Sequence, residues 1–317
     1  MTGRALRVPL VLGALCLLLA GCSSTGGAAP TSTRSLTSTP AAASPTASNT
    51  PSRSAGAAST TGPRVTRPSP PAHIVVVVEE NHSFADIDRS PSAPFMTSLA
   101  ASGVSLTRYF AVTHPSEPNY LALFSGSTQH RSDDSCPHHY PGANLASQLR
   151  ASHRSFVGYS DGLPRSGYTG CTSGAYARKH APWVDFSNLP AAVNQPLSAF
   201  PTDYRRLPTL SFVIPNLQHD MHDGTITQAD TWLRLHLGAY ARWARTHNSL
   251  LVVTWDEDDG SQRNQVPTVV AGAGVRPGRY DGRADLYNLL RTFEWLYGLP
   301  PIGNAAHRSQ LRGVWTH

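Results

Sequence analysis

The hydrophobic pattern divides the chain into three stretches. Residues 8–19 form one apolar run and residues 23–71 show no apolar periodicity. From residue 72, short β-branched runs alternate with segments of helical period. Residues 74–78 read Ile-Val-Val-Val-Val, the pattern of a strand buried on both faces. Further strands are predicted at 104–110, 155–159, 209–214, 250–255 and 266–271. Helices are predicted at 94–101 (stopped by Gly103), 119–124, 144–149, 230–246 and 285–297. Trp232, Leu235, Ala239 and Trp243 mark the inward face of the fourth helix, and Leu286, Leu289, Leu290, Phe293 and Leu296 that of the last. Residues 161–201, rich in Gly, Pro, Ser and aromatics, read as long loops over one face. The alternation predicts a single α/β domain, a doubly wound and mostly parallel sheet flanked by helices.

The two leading stretches are read differently. Arg4 and Arg7 precede the apolar run, which is too short for a comfortable membrane span and closes on Leu19-Ala20-Gly21-Cys22. That is the pattern of a bacterial lipobox. It predicts a lipoprotein signal over 1–22, lipidation at Cys22, and an extracytoplasmic protein anchored to the outer face of the cell membrane. Residues 23–71 are dominated by Ser, Thr, Ala, Pro and Gly and predict a disordered tether. The folded part is then 72–317.

Charge sharpens this division. The chain carries +6, but residues 1–71 hold six of the 26 basic residues and none of the 20 acidic ones. The folded part is balanced, so nucleic-acid binding has no charge support there. Outside the membrane, Cys136 and Cys171 of that part can form a disulfide; two buried thiols are the alternative.

Candidate chemistry collects where strands end. The first strand runs into Glu79, Glu80, Asn81 and His82, and the 250–255 strand into Asp256, Glu257, Asp258 and Asp259. Open α/β sheets bind ligands at such strand ends. Two acid clusters there suggest a metal-assisted hydrolase. Oxygen ligands suit calcium, magnesium or manganese better than zinc. Ser116 follows a proline and precedes a helix, either as its cap or as a nucleophile facing phosphate at the helix N-terminus. His219, Asp220, His222 and Asp223 crowd one loop, and Arg178, Lys179 and His180 another.

Five segments taken together resemble the phosphoesterase family of bacterial and fungal acid phosphatases and non-zinc phospholipases C, within the alkaline phosphatase-like superfamily. They are Glu80-Asn81-His82-Ser83-Phe84, residues 114–119, residues 179–182, residues 220–223 and residues 254–257, in the family's order. The resemblance implies one divalent metal ion on Glu80, Asn81, Asp256 and Glu257, with Asp258 or Asp259 as substitutes in the acidic run. Ser116 would sit at that metal and pass through a phosphoserine. His114, His180 and His222 would contact phosphoryl oxygens or the leaving group, with Asp223 assisting. Asn119 and Lys179 would bind substrate, and Glu79 either backs the ligands or lies at the surface. The expected activity is hydrolysis of small-molecule phosphomonoesters. The alternatives are a phospholipase C-like phosphodiesterase and, in another class, a non-catalytic ligand-binding surface lipoprotein. Oligomeric state is left open.

Overall fold

The structure, a computed structural model, describes residues 67–316. The expected signal at 1–22 with Cys22, and the tether up to residue 66, lie outside the described residues. Strand β1 (His73–Glu79) is followed by α1 (Phe84–Ile87), α2 (Pro94–Ser102), β2 (Val104–Leu106), β3 (Tyr109–Phe110), α3 (Ser116–Ser125) and α4 (Leu145–Ala151). Next come β4 (Phe156–Ser160), β5 (Thr172–Ser173), β6 (Tyr176–Ala177), β7 (Asn194–Pro196) and β8 (Leu210–Ile214). The chain then forms α5 (Ile226–Ala244), β9 (Ser249–Trp255), β10 (Thr268–Gly272), β11 (Gly278–Tyr280), β12 (Ala284–Asp285) and α6 (Leu286–Tyr297).

Eight strands make the main sheet in the order β11-β2-β10-β9-β1-β8-β4-β7. Only β10 runs antiparallel to its neighbours. β1 lies at the centre because its β-branched run can be buried on both faces, and Ile74 to Val78 are all but inaccessible. The expected doubly wound sheet is therefore present. Helices α2 and α5 pack together, while α3 packs on α4 and α6.

Four expectations change. The run 104–110 is not one strand: β2 ends at Leu106, and β3 leaves the main sheet to pair with β12. The loops over 161–201 contain β7, which pairs in parallel with β4 as an edge strand. Its Pro196 hides it in sequence, yet an edge tolerates a missing donor. Helix α5 begins four residues early, where the Thr225 hydroxyl accepts the Gln228 N–H. Its buried stripe runs through Ala229, Leu233, Leu237, Tyr240 and Ala244, so Leu235 points to water and is 64% exposed. The pattern 232-235-239-243 is the flank of that stripe.

Other predictions hold. The helices expected at 144–149 and 285–297 are α4 and α6, with Asn144 and Asp285 as their caps, and all five inward residues predicted for α6 are buried. Gly103 ends α2 where a Cβ would collide with the Val270 carbonyl. Cys136 and Cys171 form a disulfide. Among the described residues no helix is long and apolar enough to cross a membrane.

On α6, Glu294 is fully buried and its Oε1 accepts the Ile302 N–H at 2.8 Å. Burial pushes its carboxyl up to about 7, against the lowering effects of that N–H and of Arg291. A raised carboxyl favours the fold below its unfolded pKa of about 4.3 and loses that contribution as pH rises through about 7. Glu294→Gln should therefore flatten the fall in melting temperature between pH 5 and 8. An unchanged slope would place the titration elsewhere.

Candidate active site

The register of β1 with β9 decides which acids meet. Val78 lies beside Thr254 and Glu79 beside Trp255. Side chains alternate along a strand, so Glu79 and Glu80 leave on opposite faces. Glu80 meets α3. Asn81 then turns the chain with φ 49°, in the left-handed region that asparagine tolerates better than most residues.

Ser116 is the first residue of α3, a helix buried along its whole length. Its hydroxyl donates to Glu80 Oε2 at 3.0 Å and lies 3.3 Å from Glu257 Oε1. One turn on, Tyr120 donates to Glu80 Oε1 at 2.7 Å, and its ring stacks on His180 at 4.9 Å. His180 Nε2 is 3.0 Å from Glu80 Oε1, and its Nδ1 is 3.4 Å from Asp220 Oδ2. Asp220 Oδ1 accepts the His222 N–H at 2.9 Å, and His222 Nδ1 lies 2.8 Å from Asp223 Oδ1. On the other side, His114 Nδ1 is 2.8 Å from Glu257 Oε2.

Electrostatics follow from crowding. Burial works against ionised Glu80, but the His180 charge and the hydrogen bonds from His180 and Tyr120 outweigh it and bring the carboxyl down to about 2. Burial likewise opposes the His180 cation, and Glu80 and Asp220 overcome it, lifting the ring to about 9. Burial, then Glu80 and Glu257, push Asp256 well up. Burial also raises Glu257, and with Glu80 outweighs the opposing pull of His114 to bring it to about 7. Crowded, buried acids resist ionising together.

The donor set fits a hard cation. Asp256 Oδ2 is buried without a partner. The Asn81 amide lies 3.0 Å from Glu80 Oε2 and 3.3 Å from Glu257 Oε1. With nitrogen turned that way it donates to both; with oxygen turned that way it adds a ligand to a cation's shell. Among the described residues no three His, Cys, Asp or Glu side chains alone converge to hold an ion. Asn81 and Ser116 would have to complete the set.

The structure thus gathers Glu80, Asn81, Ser116, Asp256 and Glu257, with His114, His180, His222 and Asp223 around them. Four expectations are corrected. Asn119 is buried: its oxygen accepts the Val112 and Thr113 N–H groups and its amide donates to Thr113 and Pro115 carbonyls, leaving nothing for substrate. His180 is 1% exposed with both ring nitrogens on carboxylates, so it orients those acids and does not reach the phosphoryl group. Asp258 is no substitute ligand, because its oxygens accept the N–H groups of Gly260, Gln262 and Asn264; Asp259 is exposed and holds Ser261. Glu79 is not at the surface: it is fully buried with both oxygens unpartnered. There burial, then the charge of Asp220, push it well up.

Lys179 reaches the site's edge, but its Nζ is 2.8 Å from Asp134, which also accepts the Glu117 N–H. Sequence reasoning missed Asp134 and Tyr120. The only signal for Tyr120 was its place four residues after Ser116, one helical turn.

The phosphoesterase family model matches residues 89–300. The chain is 55% identical over 248 residues to a phosphatidylinositol-3-phosphatase of Mycobacterium tuberculosis, covering 77% of this chain and 83% of that protein. It is 30% identical to a phosphate-repressible acid phosphatase of Penicillium chrysogenum, covering 66% of this chain and 55% of that protein. The chain thus spans little more than half of the fungal relative. In structure it is similar to an alkaline phosphatase superfamily protein of Vibrio parahaemolyticus, with TM-score 0.53, 12% identity, and 78% and 72% of the two chains covered.

Removing the Tyr120 hydroxyl tests the geometry around Glu80. A hydrogen bond to a charged group is worth about 1.5–3 kcal/mol. Tyr120→Phe should lower kcat on a chromogenic phosphomonoester about tenfold or more, with little change in melting temperature. Wild-type kcat in the folded variant would mean that the hydroxyl does not set the site.

Proposed function

Because the chain belongs to the phosphoesterase family, hydrolases of phosphoric esters, we propose that it cleaves phosphomonoesters through Ser116 and a divalent cation held by Glu80, Asn81, Asp256 and Glu257. The observation that carries this reading is the Ser116 hydroxyl, within 3.0 Å of Glu80 and 3.3 Å of Glu257 at the start of a buried helix. Carboxylates alone would repel a phosphate, so a cation must offset them before substrate can approach.

When bound, that cation would supply positive charge to the phosphoryl oxygens and acidify the serine hydroxyl. Ser116 gives its proton to Glu257, 3.3 Å away, and its Oγ forms a bond to phosphorus as the bond to the leaving alcohol breaks. His222, whose Nδ1 is fixed by Asp223, protonates the departing oxygen from its other nitrogen. His114, half-exposed at the rim with its ring nitrogens 2.8 Å from Glu257 and 3.3 Å from Asp258, would serve the phosphoryl oxygens only by turning from those acids, which its exposure allows. Tyr120 and His180 keep Glu80 turned toward the serine. Water, giving a proton to His222, then attacks phosphorus as the bond to Ser116 Oγ breaks, and the serine takes back its proton from Glu257. The name of the Mycobacterium tuberculosis relative favours a phosphoinositide, a monoester on a lipid headgroup, as natural substrate.

The test uses the purified full-length protein on a chromogenic phosphomonoester, on phosphatidylinositol 3-phosphate vesicles and on phosphatidylcholine vesicles. Both monoesters should turn over, lose activity with a chelator and regain it with magnesium, calcium or manganese. Ser116→Ala should fold normally and fall about a thousandfold or more. Full activity in that variant would remove the nucleophile, and turnover of phosphatidylcholine alone would make the enzyme a phosphodiesterase.

Extracytoplasmic anchoring through Cys22 belongs to the same proposal and is supported by the lipobox pattern. Cys22→Ser should shift the protein out of the membrane fraction. Unchanged retention would mean that another element anchors it.

A further inference from the structure

A pocket of about 250 Å³ lies between α1 with the two residues after it, α2, and the side of the sheet formed by β9, β10, β2 and β11. It is on the face opposite the serine. Val253 and Trp255 line it, and they stand in register with Val77 and Glu79, not with Val78. None of the residues gathered around Ser116 contributes to its walls. Its floor is Met96, Leu99, Val253, Trp255 and Val269, all buried.

The rim has a different character. Asp88, Arg89 and Arg279 stand there. Arg279 is held by Asp88 through two contacts of 2.9 and 3.2 Å. Arg89 is exposed and, among the described residues, has no carboxylate at ion-pair distance. The rim therefore carries one uncompensated positive charge above an apolar floor.

We propose that this pocket binds the tail of a single-chain anionic amphiphile, with the anionic head at Arg89. Size argues for one short chain: at about 30 Å³ for a group the size of a water molecule, the space takes roughly eight heavy atoms. It is slightly smaller than pockets for drug-sized ligands, which leaves no room for a second chain. Apolar walls favour the tail, and an exposed guanidinium can take a carboxylate or phosphate head in bidentate geometry. This site stands apart from the phosphoryl site and does not depend on the reaction assigned there.

Octanoate serves as a probe because its carboxylate head cannot be hydrolysed by a phosphatase. Calorimetry on the purified full-length protein, exchanged out of detergent, should show one octanoate bound per chain and weaker binding of octanol. Ala101→Trp, at an exposed lining position of α2, should abolish both. Arg89→Glu should weaken octanoate about tenfold or more and bring octylammonium above it, without affecting octanol. Both variants should keep the wild-type melting temperature and phosphomonoester turnover. Octanoate binding that survives Ala101→Trp, or that fails in the wild type, would overturn the site. If Ala101→Trp does not fold, Arg89→Glu decides alone: equal binding of octanoate to wild type and variant overturns the proposal.

Discussion

Ionised Glu80, buried at the end of the central strand, must be stabilised without bulk water. Tyr120 donates a hydrogen bond to one oxygen, His180 brings a positive charge within 3.0 Å of the same oxygen, and Ser116 donates to the other. A charge taken out of water and left alone is strongly destabilising, and these three partners share the work of offsetting that cost. Three segments far apart in sequence are thereby fixed to one carboxylate: the start of α3, the turn carrying His180, and, through Asp220, the loop after β8. The arrangement is a buried network whose members position and polarise one another.

The pleat of the sheet separates two kinds of acid. Glu80 faces α3 and is held ionised; Glu79, the residue before it, faces the other way and is driven towards the neutral form by burial. The same alternation puts Trp255 on the Glu79 side, where it helps to form an apolar pocket under a cationic rim. One strand pair thus serves both faces with different chemistry. Because the side-chain period is two, slipping the register of β1 against β9 by one residue would exchange these environments.

The segment between β4 and β8 has little regular structure but carries much of the organisation. Arg178 is buried against Asp185, at 2.7 Å, and the disulfide joins Cys171 to Cys136. These ties hold His180 and Lys179 at the end of the sheet, where Lys179 pairs with Asp134 beside the first turn of α3. A polar loop becomes part of a rigid site because its charges are paired and its ends are cross-linked.

The β-branched run of β1, the acids following β1 and β9, the apolar face of α6, and the proline before Ser116 are local features. Each expresses a steric or hydrogen-bonding preference of neighbouring residues, and so each was legible in the chain alone. The motifs also stood in an order that identified the family. Tertiary structure decided the rest. Asn119, polar and close to the serine, spends its whole amide on the backbone; His180 is enclosed by two acids; Asp258 folds its own loop. Leu235 fell on the wet side of α5 because a helix buries whichever stripe its neighbours cover. These outcomes depend on which distant groups come within about 3 Å, a distance set by strand register and helix packing and not by spacing along the chain.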